Sequence, residues 1–212
     1  MQNVVIIGAG SMGRIVYSYL IEKSQGGQHT VKGFLDANLK ALKDYCSLPE
    51  IIGTPDDYLP EDNDVFVMAI ADPGVRKRLF NRFKQLKQSF LTFIHPLAYI
   101  ASSAELGEGC VVGPFVNLAI NTRLGACVFC NVYTSIGHDV EVGDFSILYS
   151  HCSINGFCRL GEGVLLGAHT VIVPEVDVGD YVRVMAGSSV LSAKVKSNAV
   201  LAGVPAEEIF IN

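Results

Sequence analysis

A six-residue period constrains this chain more than any other feature of its sequence. Stepping by six from Ile100 reaches Leu106, Val112, Leu118, Leu124, Cys130, Ile136, Val142, Leu148, Ile154, Leu160, Leu166, Ile172, Val178, Val184 and Val190. Every position but Cys130 is Leu, Ile or Val. The row two residues earlier, running from Ala98 and Ala104 through Cys110, Thr122 and Thr134 to Ser188, holds only small or β-branched residues. A register kept over that length predicts a solenoid in which each segment is a short strand and a bend. The large aliphatic fills the interior and the small residue fits a tight corner. Three segments close one coil, so residue n stacks under residue n+18 at about 4.8 Å, and about five coils are expected. Glycine follows the aliphatic at Gly107, Gly113, Gly125, Gly137, Gly143, Gly161, Gly167 and Gly179, which suits backbone conformations that cost little only without a Cβ.

The N-terminal half reads differently. Residues 4–7, Val-Val-Ile-Ile, lead into Gly8-Ala9-Gly10-Ser11-Met12-Gly13, after which Ile15, Val16, Tyr19 and Leu20 recur at helical spacing. A second strand, residues 31–35, ends at Asp36. A third apolar run over 64–71 precedes a helix with Val75, Leu79, Phe83 and Leu86 on one face. This alternation implies a Rossmann-like α/β domain with a short parallel sheet over 1–93, followed by an all-β domain over 94–212. The join falls near Phe93-Ile94-His95-Pro96. The glycine turn has the G-x-G-x-x-G form, which lets a pyrophosphate approach a helix N-terminus while Asp36 accepts a ribose hydroxyl. A nucleotide sugar, a dinucleotide and a purely structural turn all fit this motif.

Composition removes several function classes. A net charge of -5 with 17% charged residues provides no basic field for nucleic acid. No apolar stretch approaches the roughly 20 residues of a membrane span. The opening residues lack the basic start and cleavage site of a signal peptide, so a cytoplasmic location is expected. No CxxC among the six cysteines has a matching second pair, so they read as reduced thiols, most of them small core residues.

A short α/β domain with a glycine turn and Asp36, then His95-Pro96, hexapeptide repeats and Gly203-Val204-Pro205-Ala206, resembles the sialic-acid O-acetyltransferase-like sugar acyltransferases. Within them it looks most like the bacterial acetyltransferases of nucleotide-linked 4-amino sugars that serve glycan biosynthesis. The most specific segment is Asn131-Val-Tyr-Thr-Ser-Ile-Gly-His138-Asp139, an Asn seven residues before a His-acid pair. The resemblance implies a left-handed parallel β-helix, a homotrimer with active sites between subunits, acetyl-CoA as acyl donor without a metal, and a nucleotide-linked amino sugar, expected to be a UDP sugar, held by the N-terminal domain. Crossover preferences favour the right hand, so the left hand rests on the resemblance alone. Related enzymes often carry a His in the glycine turn where this chain has Met12.

Acyl transfer to an amine or hydroxyl needs a base as the nucleophile attacks the thioester, and an imidazole with a pKa of about 6.5 suits that role. His138 is the expected base and Asp139 the acid that orients it. The bland alternative for His138 is a solvated bend residue. Adding 18 to 138 gives Gly156, whose missing side chain is expected to leave room for a thioester. The resemblance gives its amide an oxyanion-type role. It likewise places Asn131 on the neighbouring subunit's side of the cleft, and Gly167, Ala168, Gly203 and Pro205 along pantetheine and adenine. Gly8, Gly10, Ser11, Met12, Gly13 and Asp36 are the expected substrate contacts. Tyr133, His151 and His169 should stack as a surface or trimer-contact ladder rather than a metal site, and His29 and His95 should have loop and junction roles. Two other functions remain open. One is O-acetylation of a sugar such as sialic acid. The other is a nucleotide-binding module whose β-helix only trimerises it.

Overall fold

The computed structural model describes residues 2–23 and 29–210. Met1, residues 24–28 and residues 211–212 of the expected domain ranges lie outside the described residues. Two compact units divide the chain, Met1–Thr92 and Phe93–Asn212.

The first unit is a four-stranded parallel sheet with two helices. Its elements are β1 (Gln2–Ile7), α1 (Ser11–Lys23), β2 (His29–Leu35), β3 (Ile51–Gly53), β4 (Asp64–Met68) and α2 (Pro73–Gln85), with strand order β3-β2-β1-β4. The apolar runs of β1 and β4 form the buried layer of this unit, where Val4, Val5, Ile6, Ile7, Phe66, Val67 and Met68 are fully buried. Helix α2 starts where Asp72 accepts a hydrogen bond from the Val75 amide at 2.9 Å and Pro73 takes the first helical position. Three details depart from the sequence reading. Strand β2 begins at His29, so that residue heads a strand rather than a loop. Strand β3 was not expected, and Leu86 caps α2 in an exposed position.

The second unit is the left-handed parallel β-helix. Nineteen short strands run from β5 (Phe93–Ile94) to β23 (Val200–Ala202) and form three parallel sheets, with β24 (Glu207–Glu208) pairing antiparallel to β23. Stacking follows the expected offset of 18, as where Ile136 pairs with Ile154 and Leu118. The aliphatic row forms one continuous core that extends past both ends of the sequence pattern. Ile94 packs against it one step early. After Val190 one residue drops out of the period, and Val195 and Leu201 resume it. At three strands per coil the helix is therefore a little over six coils long, not five.

The small row does more than fit a corner. The Thr122 hydroxyl donates to the Gly137 carbonyl at 3.1 Å and Thr134 to Tyr149 at 3.0 Å. Ser146 donates to Gly161 at 3.2 Å, and the thiols of Cys110, Cys152 and Cys158 reach the carbonyls of Gly125, Gly167 and Val173. Each bond spans 15 residues and gives a carbonyl of the next coil a side-chain donor, and an unpaired buried carbonyl is expensive; that of Gly167 also accepts from Thr170. Thr, Ser and Cys share this row with Val because each is small enough for the corner, Thr being close to Val in shape. Burial pushes the Cys152 thiol up to about 12, which keeps it protonated and able to donate. Cys46 is exposed, the other five cysteines are buried, and all six are free thiols.

The glycines after the aliphatic owe their identity to crowding, not to backbone angle. A Cβ on Gly143 would stand 2.5 Å from the backbone of Gly161, and one on Gly107 would stand 2.6 Å from that of Gly125. The left-handed conformation falls two residues later, on ordinary residues at a six-step spacing that includes Asn121, Tyr133, Asp139, His151, Phe157 and His169. The expectation that these glycines supply unusual backbone conformations is thus corrected. They supply the space that lets one coil lie on the next.

Candidate functional site

His138 sits in the bend after β12 (Ser135–Ile136), one residue before the left-handed Asp139. The positive φ at Asp139 turns its side chain back beside the imidazole. His138 Nδ1 and Asp139 Oδ2 are 2.9 Å apart, with side-chain exposures of 51% and 35%. The second carboxylate oxygen accepts the Asn121 amide Nδ2 at 2.9 Å. The bond from Asn121, followed by that from His138, holds the Asp139 carboxyl below the usual carboxylate range. Asp139 therefore keeps its negative charge to lower pH than a free carboxylate does. Phe157 meets the imidazole edge-on at 5.0 Å between ring centroids.

Gly156, in the bend after β15 (Ser153–Ile154), lies directly against the imidazole. A Cβ there would be 2.8 Å from both Cε1 and Nε2 of His138. The position a Gly156 side chain would take is occupied by the ring of His138, so the missing side chain makes room for the imidazole and not for open space at that point. The Gly156 amide itself finds no acceptor among the described residues. Gly156→Ala is accordingly expected to displace the ring while the fold persists, because the clash is with the mobile end of a half-exposed side chain. A displacement of about 1 Å from working geometry costs on the order of 100-fold in rate. Steady-state turnover of the purified variant beside its melting curve checks this, and an unchanged kcat would count against the placement of His138 at the chemistry.

The other expected C-terminal residues occupy a different edge of the three-sided helix. Asn131 follows β11 (Phe129–Cys130), Gly167 and Ala168 follow β17 (Leu165–Leu166), and Gly203 follows β23, all strands of one sheet. Asn131 accepts the Val132 amide on its side-chain oxygen at 2.8 Å. Gly203 has a φ of 102°, and Pro205 follows a cis peptide bond two residues later. Between that edge and the edge bearing His138 and Gly156 lies the whole width of the sheet containing β12. Within one chain the structure does not bring Asn131 and His138 together.

The aromatic ladder is present and longer than expected. Phe115, Tyr133, His151 and His169 stack face to face at 4.9, 4.9 and 4.6 Å between successive centroids. Among the described residues no group of three or more His, Cys, Asp or Glu could hold a metal ion. His95 is buried at the head of the β-helix, where Nδ1 accepts the Leu97 amide at 3.2 Å.

In the first unit the three motif glycines separate by cause. Gly8 has a φ of 107°, and a Cβ would come within 2.5 Å of the Ala69 carbonyl oxygen. Gly13 admits no Cβ, which would lie 1.9 Å from the Gly8 oxygen. Gly10 is exposed, has an ordinary φ, and a Cβ there would touch nothing within 4 Å. The fold accounts for Gly8 and Gly13 but not for Gly10. Ser11 opens α1 in an exposed position, and no acidic residue stands in the first turn to oppose an anion. Asp36 accepts the Ala9 and Asn38 amides, each at 2.8 Å, one on each carboxylate oxygen. It anchors the turn, and each oxygen keeps a second lone pair for a hydroxyl donor. Met12 is buried, with its sulfur 4.0 Å from Nη1 of the buried Arg76, which also donates to the Ile70 carbonyl at 2.8 Å. Arg76 was not anticipated, because nothing in the sequence distinguishes a buried Arg from an exposed one on an amphipathic helix. Asn121 was also missed, although the same offset of 18 that identifies Gly156 leads back from Asp139 to it.

Comparison with known proteins agrees with this architecture. Residues 3–83 match the PglD N-terminal domain. The chain is 28% identical over 156 residues to GDP-perosamine N-acetyltransferase of Escherichia coli O157:H7, an overlap of 72% of this chain and 69% of that protein. The acetyltransferase domain of PglB from Neisseria gonorrhoeae FA1090, solved with acetyl coenzyme A, superposes with a TM-score of 0.84 at 23% identity, covering 98% of this chain and 99% of that one. PerB from Caulobacter crescentus, solved with CoA and GDP-perosamine, superposes with a TM-score of 0.72 at 26% identity, covering 99% and 98%. Residues 3–83 are thus similar to the PglD N-terminal domain, and the chain as a whole shares the fold of these sugar N-acetyltransferases and resembles them in sequence over most of its length.

Proposed function

We propose that this protein transfers the acetyl group of acetyl-CoA to the amine of a nucleotide-linked amino sugar, with His138 as general base. The observation that carries the reading is the His138–Asp139 pair at 2.9 Å on a half-exposed bend. With its proton on Nδ1, His138 donates to Asp139 and leaves the Nε2 lone pair for the substrate. The amine nitrogen attacks the thioester carbonyl carbon and gives a proton to Nε2. Collapse of the tetrahedral intermediate breaks the C–S bond, and the imidazolium returns the proton to the departing CoA thiolate. Asp139, kept ionised by its two hydrogen bonds, stabilises the imidazolium between these steps. No acyl-enzyme is needed. The Gly156 amide is suited to receive the developing oxyanion.

Residues 94–212 form the acyltransferase domain of this reading and residues 1–93 the nucleotide-sugar domain. Gly8, Gly10, Ser11 and Gly13 cradle the diphosphate at the N-terminus of α1, with Met12 lining the turn and Asp36 accepting a ribose hydroxyl. The exposed, sterically idle Gly10 favours a ligand over a purely structural turn. Asn131, Gly167, Ala168, Gly203 and Pro205 line the pantetheine and adenine track. Their separation from His138 by a whole sheet favours a homotrimer, in which the donor edge of one copy faces the base of the next. Among the described residues no helix is long and apolar enough to cross a membrane, and we place the reaction in the cytoplasm, where acetyl-CoA is at hand.

The test is thiol release from acetyl-CoA against a panel of GDP- and UDP-linked amino sugars, including GDP-perosamine, with free sialic acid alongside. Acetylation of a nucleotide-linked amine supports the reading. Acetylation of sialic acid alone would replace it with O-acetylation, and release from neither would leave the β-helix as a scaffold.

A further inference from the structure

We propose that Asn121 is a positioning residue for the proposed base, acting through Asp139. The inference rests on the acyltransfer reading above. Asn121 lies one coil before Asp139 in the same row of left-handed bend residues, in the bend after β9 (Asn117–Leu118). Its Nδ2 donates to Asp139 Oδ1 at 2.9 Å, while Asp139 Oδ2 faces His138 Nδ1 at 2.9 Å. Asn121 is held in turn by the coil below it, where its backbone amide donates to the Ser103 hydroxyl at 3.0 Å. The three residues form a relay up one edge of the helix, each step 18 residues long.

The need for a second anchor follows from the torsion involved. The last torsion of an aspartate is a broad, roughly two-fold sp³–sp² rotation. A carboxylate bonded on one oxygen alone can swing its plane and carry the imidazole with it. A donor on the other oxygen defines the plane, and with it the direction of Nε2. Asn is suited to the task twice over. It tolerates the left-handed conformation better than most residues, here a φ of 58°. Its carboxamide is also a neutral donor, so it orients Asp139 without competing for the proton. The same bond is the leading cause of the lowered Asp139 carboxyl.

The experiment measures kcat, KM and the pH profile of kcat/KM for the full chain, using acetyl-CoA and the sugar nucleotide that the panel identifies. Asn121→Ala should lower kcat about tenfold, with KM for both substrates within twofold and a melting temperature lowered only by the modest strain of Ala at a left-handed position. Asn121→Asp should move the acidic limb of kcat/KM upward. A further negative charge near the imidazole favours its protonated form by on the order of half to one pH unit. A purely structural role for Asn121 would lower stability without moving that limb. If His138→Ala is inactive while both Asn121 variants match the parent in kcat and in pH profile, the positioning role is wrong and the base stands. If His138→Ala keeps full activity, the reading of the base fails and Asn121 loses its role with it.

Discussion

Replacing His138 with Ala is expected to lower kcat by a factor of about 10² to 10⁴, the usual contribution of a positioned general base. That corresponds to about 3–5 kcal/mol of transition-state stabilisation. The side chain is half exposed and its partners are surface groups. The melting temperature should therefore stay close to that of the parent, as is usual for a surface substitution away from core contacts. The KM for acetyl-CoA should move little, because in the proposed role His138 acts on the amine rather than on the thioester. Thiol release followed across pH separates this from a general loss of fitness. The parent should lose activity on the acid side as the imidazole protonates, and the variant should lack that limb. A variant within tenfold of the parent, or one that keeps the acidic limb, would mean that another group takes the proton.

Gly10→Ala and Gly13→Ala should fail in opposite ways, although both alter the same turn. A Cβ at Gly13 falls 1.9 Å from a backbone oxygen, which has no side-chain torsion through which to give way. The strand-to-helix turn must open, at a cost of about 3 kcal/mol or more to the N-terminal unit. Calorimetry or chemical denaturation should show a clear loss of stability. At Gly10 the Cβ meets nothing, so stability should be unchanged. A diphosphate approaching the amides at the start of α1 does meet it. The KM for the sugar nucleotide should rise about tenfold or more, equivalent to about 1.4 kcal/mol of lost binding, while the KM for acetyl-CoA is unaffected. Normal sugar-nucleotide binding by Gly10→Ala would remove the glycine turn from the substrate site.

The two glycine effects show how residues of one type answer to different causes. In the β-helix the glycines after each aliphatic are set by the coil stacked above, and in the turn they are set by Ala69, by Gly8 or, at Gly10, by nothing within the chain. The motif by itself did not separate these. A Cβ clash depends on an atom brought close by tertiary folding, and such an atom lies 5 residues away for Gly13 and 18 for Gly107.

Periodicity is what made so much of this protein legible from sequence alone. In a solenoid a sequence offset is a distance, so the aliphatic core, the stacking of His151 on His169, and Gly156 as neighbour of His138 could all be derived by arithmetic. The strand-glycine-helix start was legible for a related reason, since apolar run, turn and amphipathic helix are local. Strand β3 was not, because Ile51–Gly53 is too short to show any pattern. Nor was the lost residue between Val190 and Val195, which only the pairing of Asp177 with Lys194 makes evident. Side-chain directions in the bends were decided by the tertiary structure. The left-handed backbone at Asp139 aims its carboxylate at His138 and at Asn121, and the imidazole in turn fills the place that Gly156 vacates. Sequence thus determined which residues share a row and a coil. Only the closed helix, by setting backbone angles and close approaches between coils, decided which of them touch.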